Sequence, residues 1–183
     1  MGGGGALRWF KQEFGGGESF DDLTEAASKI PPGCDGMVFL PYMAGERSPI
    51  WNPDAKGVFY GLSFDKTKAH MTRAVLEGVA FSLEHNLRVA AETGVKVVSL
   101  NAMGGAANSR LWTQIKSDVT GLPIDVPASD TATTLGAAIL AGVGCGLYSS
   151  FDKAVAQTIS ITKSYEPNEK NHEIYKRSME LYL

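Results

Sequence analysis

Apolar residues recur along this chain at intervals that switch between the period of a helix and the period of a strand. From about residue 68 to residue 93, one apolar residue recurs every four positions, which predicts a long helix with an apolar stripe. The residues of this stripe are Met71, Val75, Val79, Leu83 and Leu87. Gly78 interrupts the helix at a propensity cost of about 1 kcal/mol, which indicates close packing at that position.

The other segments predict strands that alternate with helices. Short apolar runs predict strands at residues 36–43, 58–62, 95–101, 124–126 and 159–165. Amphipathic or capped runs predict helices at residues 18–30, 108–120, 134–147, 151–158 and 168–183. Ser19 or Asp21 is the expected N-cap of the first of these helices. Such an alternation is typical of a layered α/β domain.

Composition limits the classes of function that the chain can have. Its 183 residues, 44% of them hydrophobic, suffice for one domain with a substantial core. A net charge of -3 and the lack of a basic run argue against a nucleic-acid surface, and no apolar stretch is long enough to span a membrane. Cys34 and Cys145 lie far apart, outside any CxxC motif, which predicts two reduced core cysteines. We therefore expect a cytoplasmic protein without a disulfide or zinc site.

A glycine-containing loop, Gly104-Gly105-Ala106, separates the predicted strand at 95–101 from the predicted helix at 108–120. Glycines allow a ligand to approach the backbone closely, and the first N–H groups of the following helix have no partner within that helix. A bound phosphate would use both features. A plain tight turn would also explain the glycines, so the residues alone leave the two interpretations open.

Other candidate motifs have simpler explanations. There is no GxxxxGK[ST] sequence, nucleophile elbow or HExxH motif. The run "GVGCGLYSS" follows a helix, so we interpret its glycines as a helix end and a turn. His70, in the first turn of the long helix, is expected to act in capping or surface contact. Among the threonines that precede "LGAAIL", which include Thr131, we expect Thr133 or Thr134 to cap the helix.

Residues 57–77, "GVFYGLSFDKTKAHMTRAVLE", resemble the second signature of the FGGY carbohydrate kinase family. The flanking runs "FLPYMAGERSP" and "RAVLEGVAFSL" are similar to those of xylulokinases and their near relatives, and gluconokinases share much of this sequence. "GGAANSRLW" and "LGAAILAGVGCGLYSS" continue the resemblance, which extends from about residue 5 onward. The positions that match the signature are Gly57, Phe59, Gly61, Leu62, His70, Met71, Ala74, Val75, Leu76 and Glu77.

The resemblance implies an α/β fold of the actin-like ATPase (ribonuclease H-like) type, as the second domain of a two-domain sugar kinase. Residues 1–183 would form the C-terminal, nucleotide-binding domain, and the sugar-binding N-terminal domain would be absent. The glycines at the start of the chain, and a last helix without a capping glycine, also lead us to expect a piece of a longer protein. The family's DxGT-type phosphate motif and its aspartate general base do not occur in this sequence, so no catalytic residue is assigned.

The resemblance also implies roles for individual residues. Gly104, Gly105 and Ala106 match the family's ADP-binding loop and would hold the phosphates and ribose, with Asn108 and Ser109 on the adenine side. Arg47 would reach the cleft between the domains together with Glu46, unless the two form a salt bridge that fixes their loop. Glu77 is expected to form a structural hydrogen bond rather than to act as an acid or base.

The function that the resemblance implies is transfer of the γ-phosphate of ATP, with Mg²⁺, to a hydroxyl of xylulose or a related pentulose. The expected partners are ATP or ADP and, through the N-terminal domain, the sugar; a homodimer of the whole enzyme is also open. No metal-binding residue is assigned within the chain. The alternatives are a kinase for gluconate or another FGGY substrate, or an actin-like module that binds nucleotide without catalysis.

Overall fold

A computed structural model describes residues 3–128 and 132–183 of the chain. Within these residues the helices are α1 (Gly3–Phe14), α2 (Phe20–Ser28), α3 (Lys68–Glu92), α4 (Arg110–Thr120), α5 (Ala132–Gly144), α6 (Phe151–Thr158) and α7 (Glu169–Tyr182). The strands are β1 (Val38–Leu40), β2 (Val58–Tyr60), β3 (Leu100–Asn101), β4 (Ile124–Pro127) and β5 (Ile161–Tyr165). The predicted alternation of strands and helices is confirmed. No helix of the described ranges is both long enough and apolar enough to cross a membrane.

The strands form two small sheets. β1 and β2 pair antiparallel, with Phe39 opposite Phe59. β3 and β4 pair parallel, with Leu100 opposite Ile124, and β5 joins the other side of β4 in antiparallel orientation. Because β3 and β4 run in the same direction, their carboxyl ends meet at one edge of the sheet, where the loop to α4 begins.

Helix α3 forms the centre of the core. It packs against α1, α2, α4, α7 and β1, and every residue from 72 to 78 is buried. Phe10, Phe39, Trp112 and Tyr175 belong to the cluster of buried side chains that includes this helix. Gly78 is confirmed as a point of close packing, because a Cβ atom there would overlap the carbonyl oxygen of Phe39 in β1.

The predicted apolar stripe of α3 is only partly correct. Val75 is fully buried, whereas Met71, Val79, Leu83 and Leu87 are half-buried. Other elements surround the first half of the helix, so burial there includes polar residues and does not follow one stripe. From residue 83 onward the side chains of the helix are half-buried or exposed.

The strand predicted at residues 95–101 forms only at its end, as β3. Val95 and Val98 are 53% and 77% exposed. β3 lies at the edge of its sheet, and β4 is its one neighbouring strand within the described ranges. Strand formation depends on a pairing partner, which the described residues do not provide for residues 95–99.

The N-cap of α2 is confirmed as Ser19. Its Oγ atom accepts the backbone N–H of Asp22 at 3.1 Å, and the Asp22 carboxylate accepts the N–H of Ser19 at 2.9 Å. Thr133 and Thr134, by contrast, lie inside α5, which already contains Ala132, so neither caps that helix. Thr131 lies outside the described residues.

The two cysteines have different environments, and the expectation that both are buried is wrong for one of them. Cys34 is fully buried, and its Sγ atom donates to the carbonyl oxygen of His70 at 3.0 Å. Cys145 follows α5 and is exposed. Burial, reinforced by the negative charge of Glu77, raises the pKa of the Cys34 thiol to about 12.

This difference predicts that one thiol reacts in the native protein and two react after denaturation. The thiolate is the reactive form, and Cys34 remains both protonated and inaccessible at about pH 8. With Ellman's reagent, Cys145→Ser should abolish the native-state reaction, whereas Cys34→Ala should leave it unchanged. Rapid labelling of Cys34 in the folded Cys145→Ser protein would contradict the prediction.

Candidate functional site

The loop between β3 and α4 has a backbone that requires glycine at its first position. Gly104 has φ 80° and ψ −178°, a region that is populated almost exclusively by glycine. Gly105–Asn108 then form a single 3-10 turn, and Ser109 is the N-cap of α4, with its Oγ accepting the N–H of Trp112 at 3.3 Å. The helix predicted at 108–120 therefore begins two residues later, after its cap.

The N–H groups of Gly105 and Ala106 in this loop have no acceptor among the described residues. The N–H of Ala107 donates to the carbonyl of Gly104 at 2.9 Å, but the N–H groups of Gly105 and Ala106 donate to no described residue. A Cβ atom added at Gly104 or Gly105 would find nothing within 4 Å. The loop therefore combines unpaired N–H donors with open space beside its glycines, and an anion site at the start of a helix uses both features.

A cavity of about 430 Å³ lies between this loop and the first two helices of the chain. This volume falls within the range of small-molecule sites, and most of the lining surface is apolar. The cavity brings together four of the five residues that the sequence assigns to the nucleotide: Gly105, Ala106, Asn108 and Ser109. The fifth, Gly104, lines a second, smaller cavity of about 210 Å³, which Asn108 also lines.

The opposite wall of the larger cavity consists of residues that sequence reasoning missed. Arg8 of α1 and Phe20 and Asp21 of α2 all line it. The signal available in the sequence was a charged residue, Arg8, within an otherwise apolar run at residues 6–10. Some hundred residues separate this wall from the loop, so a local motif could not include it.

Glu46 and Arg47 do not line this cavity. Glu46 is buried, and its Oε1 atom accepts the backbone N–H groups of Arg47 at 2.8 Å and of Ser48 at 3.1 Å. The Arg47 side chain is exposed and forms no ion pair with the residues that the structure describes. The alternative of a salt bridge between the two is therefore wrong, because the carboxylate fixes the loop through its backbone instead.

Glu77 has the structural role expected of it. Its Oε1 atom accepts hydrogen bonds from the Nε of Arg73 at 2.6 Å, the hydroxyl of Tyr175 at 2.8 Å and the N–H of Gly33 at 3.2 Å. Burial raises the pKa of Glu77, while the charge and hydrogen bond of Arg73 oppose the rise. These contacts join α3 to α7, away from the residues that line the cavity.

His70 also acts as expected, as part of a cap. Its Nδ1 atom lies 3.2 Å from the backbone nitrogen of Thr67 and 2.9 Å from the Thr67 hydroxyl at the start of α3. Its Nε2 atom lies 3.3 Å from Oδ2 of Asp35. In the part of the chain that the structure describes, no three His, Cys, Asp or Glu side chains are grouped so that they could hold a metal ion.

Comparison with known proteins places these features in a family. The sequence profile of the FGGY family of carbohydrate kinases, C-terminal domain, matches residues 3–145. The xylulose kinase of Staphylococcus epidermidis is 34% identical over 177 residues, which are 97% of this chain and 36% of that protein. The gluconokinase of Bacillus subtilis is 38% identical in an alignment of 192 positions that covers 99% of this chain and 37% of that protein. The chain thus spans little more than a third of the length of these relatives.

Solved structures agree with this assignment. A xylulose kinase from Lactobacillus acidophilus superposes with a TM-score of 0.91 at 32% identity, over 98% of this chain and 36% of that one. A Plasmodium falciparum glycerol kinase solved with ADP has the same fold, with a TM-score of 0.81 at 24% identity over 99% of this chain and 37% of that one. The predicted actin-like ATPase fold is confirmed. The chain belongs to the FGGY family of carbohydrate kinases, as a C-terminal domain of that family.

Proposed function

We propose that the chain is the nucleotide-binding half of an ATP-dependent kinase that phosphorylates a hydroxyl of xylulose or a related pentulose. The observation that carries the proposal is the loop at residues 104–109. Its Gly105 and Ala106 N–H groups have no described acceptor and lie beside a cavity of about 430 Å³. Membership of the FGGY family supports a phosphotransferase with an alcohol acceptor.

The backbone of the loop would hold the phosphates of ATP or ADP. N–H donors fixed by a turn are already oriented, so they bind phosphate oxygens without ordering a flexible side chain. Asn108 and Ser109 follow in the same turn and would contact the adenosine, which enters the largely apolar cavity toward α1 and α2. Phe20, which is 43% exposed, offers part of its ring to a flat heterocycle there.

The chain would act together with a domain that lies outside these 183 residues. We propose that residues 1–183 form the second domain, and that the first supplies the sugar site and the aspartate that removes the hydroxyl proton. Phosphoryl transfer needs charge stabilisation on both sides of the γ-phosphate, which one domain does not provide. The exposed Arg47 would face the cleft between the two domains. We propose that the whole enzyme is cytoplasmic and able to form a homodimer.

Mg²⁺ would enter bound to the phosphates of the nucleotide. The described residues contain no group of three acidic, histidine or cysteine side chains placed to hold it. Kinases commonly bind Mg²⁺ through the oxygens of the substrate phosphates and one or two carboxylates. We assign no residue of this chain to the ion.

Titration of ADP into the ¹⁵N-labelled chain tests the nucleotide site. We expect weak binding, because one wall of the cleft is present, with shifts of the amide signals of residues 104–109. The same protein should show no ADP release with ATP, Mg²⁺ and a panel of pentuloses and hexonates. Shifts confined to another region would refute the site, and sugar-dependent turnover above a mock purification would refute the need for a second domain.

A second candidate is a gluconate kinase, because the gluconokinase of Bacillus subtilis is the more identical of the two relatives described above. A third is an actin-like module that binds nucleotide without catalysis. The coding sequence upstream of Met1 separates the two classes, since a kinase needs an actin-like domain with an acidic base there. Assay of that whole protein with xylulose and gluconate then identifies the substrate.

A further inference from the structure

Four positions of the signature that residues 57–77 resemble lie in β2 or next to it, and three of them have a structural reason. A Cβ atom at Gly57 or at Gly61 would overlap neighbouring atoms of the chain. The Phe59 ring packs against the ring of Phe39, with 4.6 Å between their centroids. The fourth position, Leu62, is 58% exposed, so packing among the described residues does not explain it.

Leu62 is part of an exposed apolar surface that follows β2 and the residues after it. Val58 and Tyr60 are 44% and 59% exposed, and the side chain of Phe64 is fully exposed. Phe59 packs against the core, so its two neighbours on the strand point to the outer face. We call Val58, Tyr60, Leu62 and Phe64 the hairpin surface.

The hairpin surface has the composition of a protein interface. Residues 57–64, "GVFYGLSF", include no charged residue, and the charged Lys56 and Asp65 border them. Protein interfaces combine an apolar centre, rich in aromatic residues, with a polar rim. Within the described ranges β2 pairs with β1 alone, so its other edge is free, and an exposed apolar edge strand favours association.

Helix α3 separates the hairpin of β1 and β2 from the sheet that leads into the loop at residues 104–109. β1 packs against α3 at Gly78, as described above. Elsewhere α3 faces the sheet of β3, β4 and β5 across a cavity of about 380 Å³, which Val79 lines from the helix and Leu100 lines from β3. The hairpin surface points away from α3, so we assign it to a partner other than the domain across the proposed cleft.

A second copy of the chain fits the hairpin surface in charge and in size. An uncharged surface packs against its own copy without bringing like charges together, and two-fold dimers are the commonest assemblies of soluble proteins. At their exposed fractions, Tyr60 and Phe64 alone offer about 300 Å² per copy. A two-fold axis counts each residue twice, so the four side chains together offer roughly 1,000 Å², the size at which a specific interface begins.

We infer that two copies of the chain associate through the hairpin surface about a two-fold axis. Leu62 then packs against the partner copy, which gives this exposed signature position a role. The inference assigns an interface to the homodimer proposed above, and it does not depend on the nucleotide site.

Size-exclusion chromatography with light scattering measures the assembly. We expect the wild-type chain to have twice the mass of its 19.5 kDa monomer at the concentrations used for NMR. Leu62→Glu and Phe64→Glu should weaken dimerisation by about a hundredfold or more, because the two-fold axis buries each introduced charge twice. Both side chains are exposed within one copy, so the monomeric variants should remain folded in thermal unfolding.

Val98→Glu is the matched control, because Val98 is 77% exposed in the segment before β3 and lies outside the hairpin surface. It should dimerise as the wild type does. A monomeric wild-type chain, a dimer that persists in both hairpin variants, or dissociation by Val98→Glu would overturn the inference. Shifts of the loop amides with ADP test the nucleotide site separately.

A disulfide across the axis shows whether the surface meets its own copy. In the Cys145→Ser chain the remaining cysteine, Cys34, is buried, so Tyr60→Cys adds one accessible thiol. Oxidation should link two copies through residue 60, whereas Val98→Cys in the same background should stay monomeric on a non-reducing gel. Absence of the link at residue 60, or hydrogen-exchange protection of residues 58–64 in a monomeric whole enzyme, would assign the surface to another partner and overturn the inference.

Discussion

Gly105→Val is expected to lower the affinity of the chain for ADP by about tenfold to a hundredfold while leaving the protein folded. A Cβ atom at this position would meet nothing within 4 Å, and Gly105 does not use a left-handed φ, so the free protein tolerates the side chain. In the complex the same side chain would occupy the space where phosphate approaches the backbone. Each charge-assisted hydrogen bond lost contributes about 1.5–3 kcal/mol, which gives this range.

Isothermal titration calorimetry with ADP measures the effect, after thermal unfolding has shown that the variant is folded. Gly144→Val is the matched control, because a Cβ atom there also meets nothing within 4 Å and Gly144 lies at the end of α5, outside both cavities. This control should bind ADP normally. An unchanged ADP affinity in Gly105→Val would show that the loop does not bind the nucleotide. A loss of thermal stability would show that Gly105 serves only to form the turn.

The distinction between Gly104 and Gly105 shows what the sequence alone cannot specify. The motif predicts a loop in which glycine matters, but it does not say which glycine has the unusual backbone. In the structure Gly104 has φ 80°, whereas Gly105 has no positive φ, and a Cβ atom at either residue would meet nothing within 4 Å. Substitutions at Gly104 would therefore mix backbone strain with ligand exclusion, whereas Gly105 separates the two effects.

Elements defined by local signals were predictable, and elements that depend on distant partners were not. α2 and α3 begin within two residues of the prediction, because their caps and their apolar periods are encoded nearby. β3 is five residues shorter than predicted, because its apolar residues could not reveal whether a neighbouring strand would pair with them. The exposure of Cys145 was not predictable either, since the composition of the chain says little about where one residue lies.

The same distinction between local signals and distant partners applies to the residues of the candidate site. The motif at residues 104–109 was recognisable because its members are adjacent in sequence. Arg8 and Phe20 form the facing wall of the larger cavity, so the fold had to bring these two residues to the loop. A cavity assembled from separate segments of the chain has no single sequence signature.

Arg73→Met is expected to reduce the free energy of unfolding by about 3–5 kcal/mol at pH 8, the usual cost of removing one partner of a buried ion pair. Arg73 is 4% exposed, its Nε lies 2.6 Å from Oε1 of Glu77, and a terminal guanidinium nitrogen donates to the hydroxyl of Tyr175 at 2.6 Å. Methionine fills similar space without charge, so the carboxylate of Glu77 would remain buried and uncompensated. Its Oε2 atom already has no hydrogen-bond partner among the described residues.

The loss should be smaller at pH 5 than at pH 8, and this dependence identifies Glu77 as its cause. Arg73 lowers the pKa of Glu77 against the rise that burial produces, so its removal raises that pKa further above the value in the unfolded chain. A carboxyl group with a raised pKa in the folded state stabilises the fold below its unfolded pKa, and this contribution is lost as pH rises through the folded pKa.

Urea unfolding at the two pH values measures the difference. Arg88→Met, in the half-exposed pair with Glu84 four residues earlier on α3, should cost no more than about 1 kcal/mol at either pH. A loss of that small size in Arg73→Met, or one equal at both pH values, would contradict the prediction.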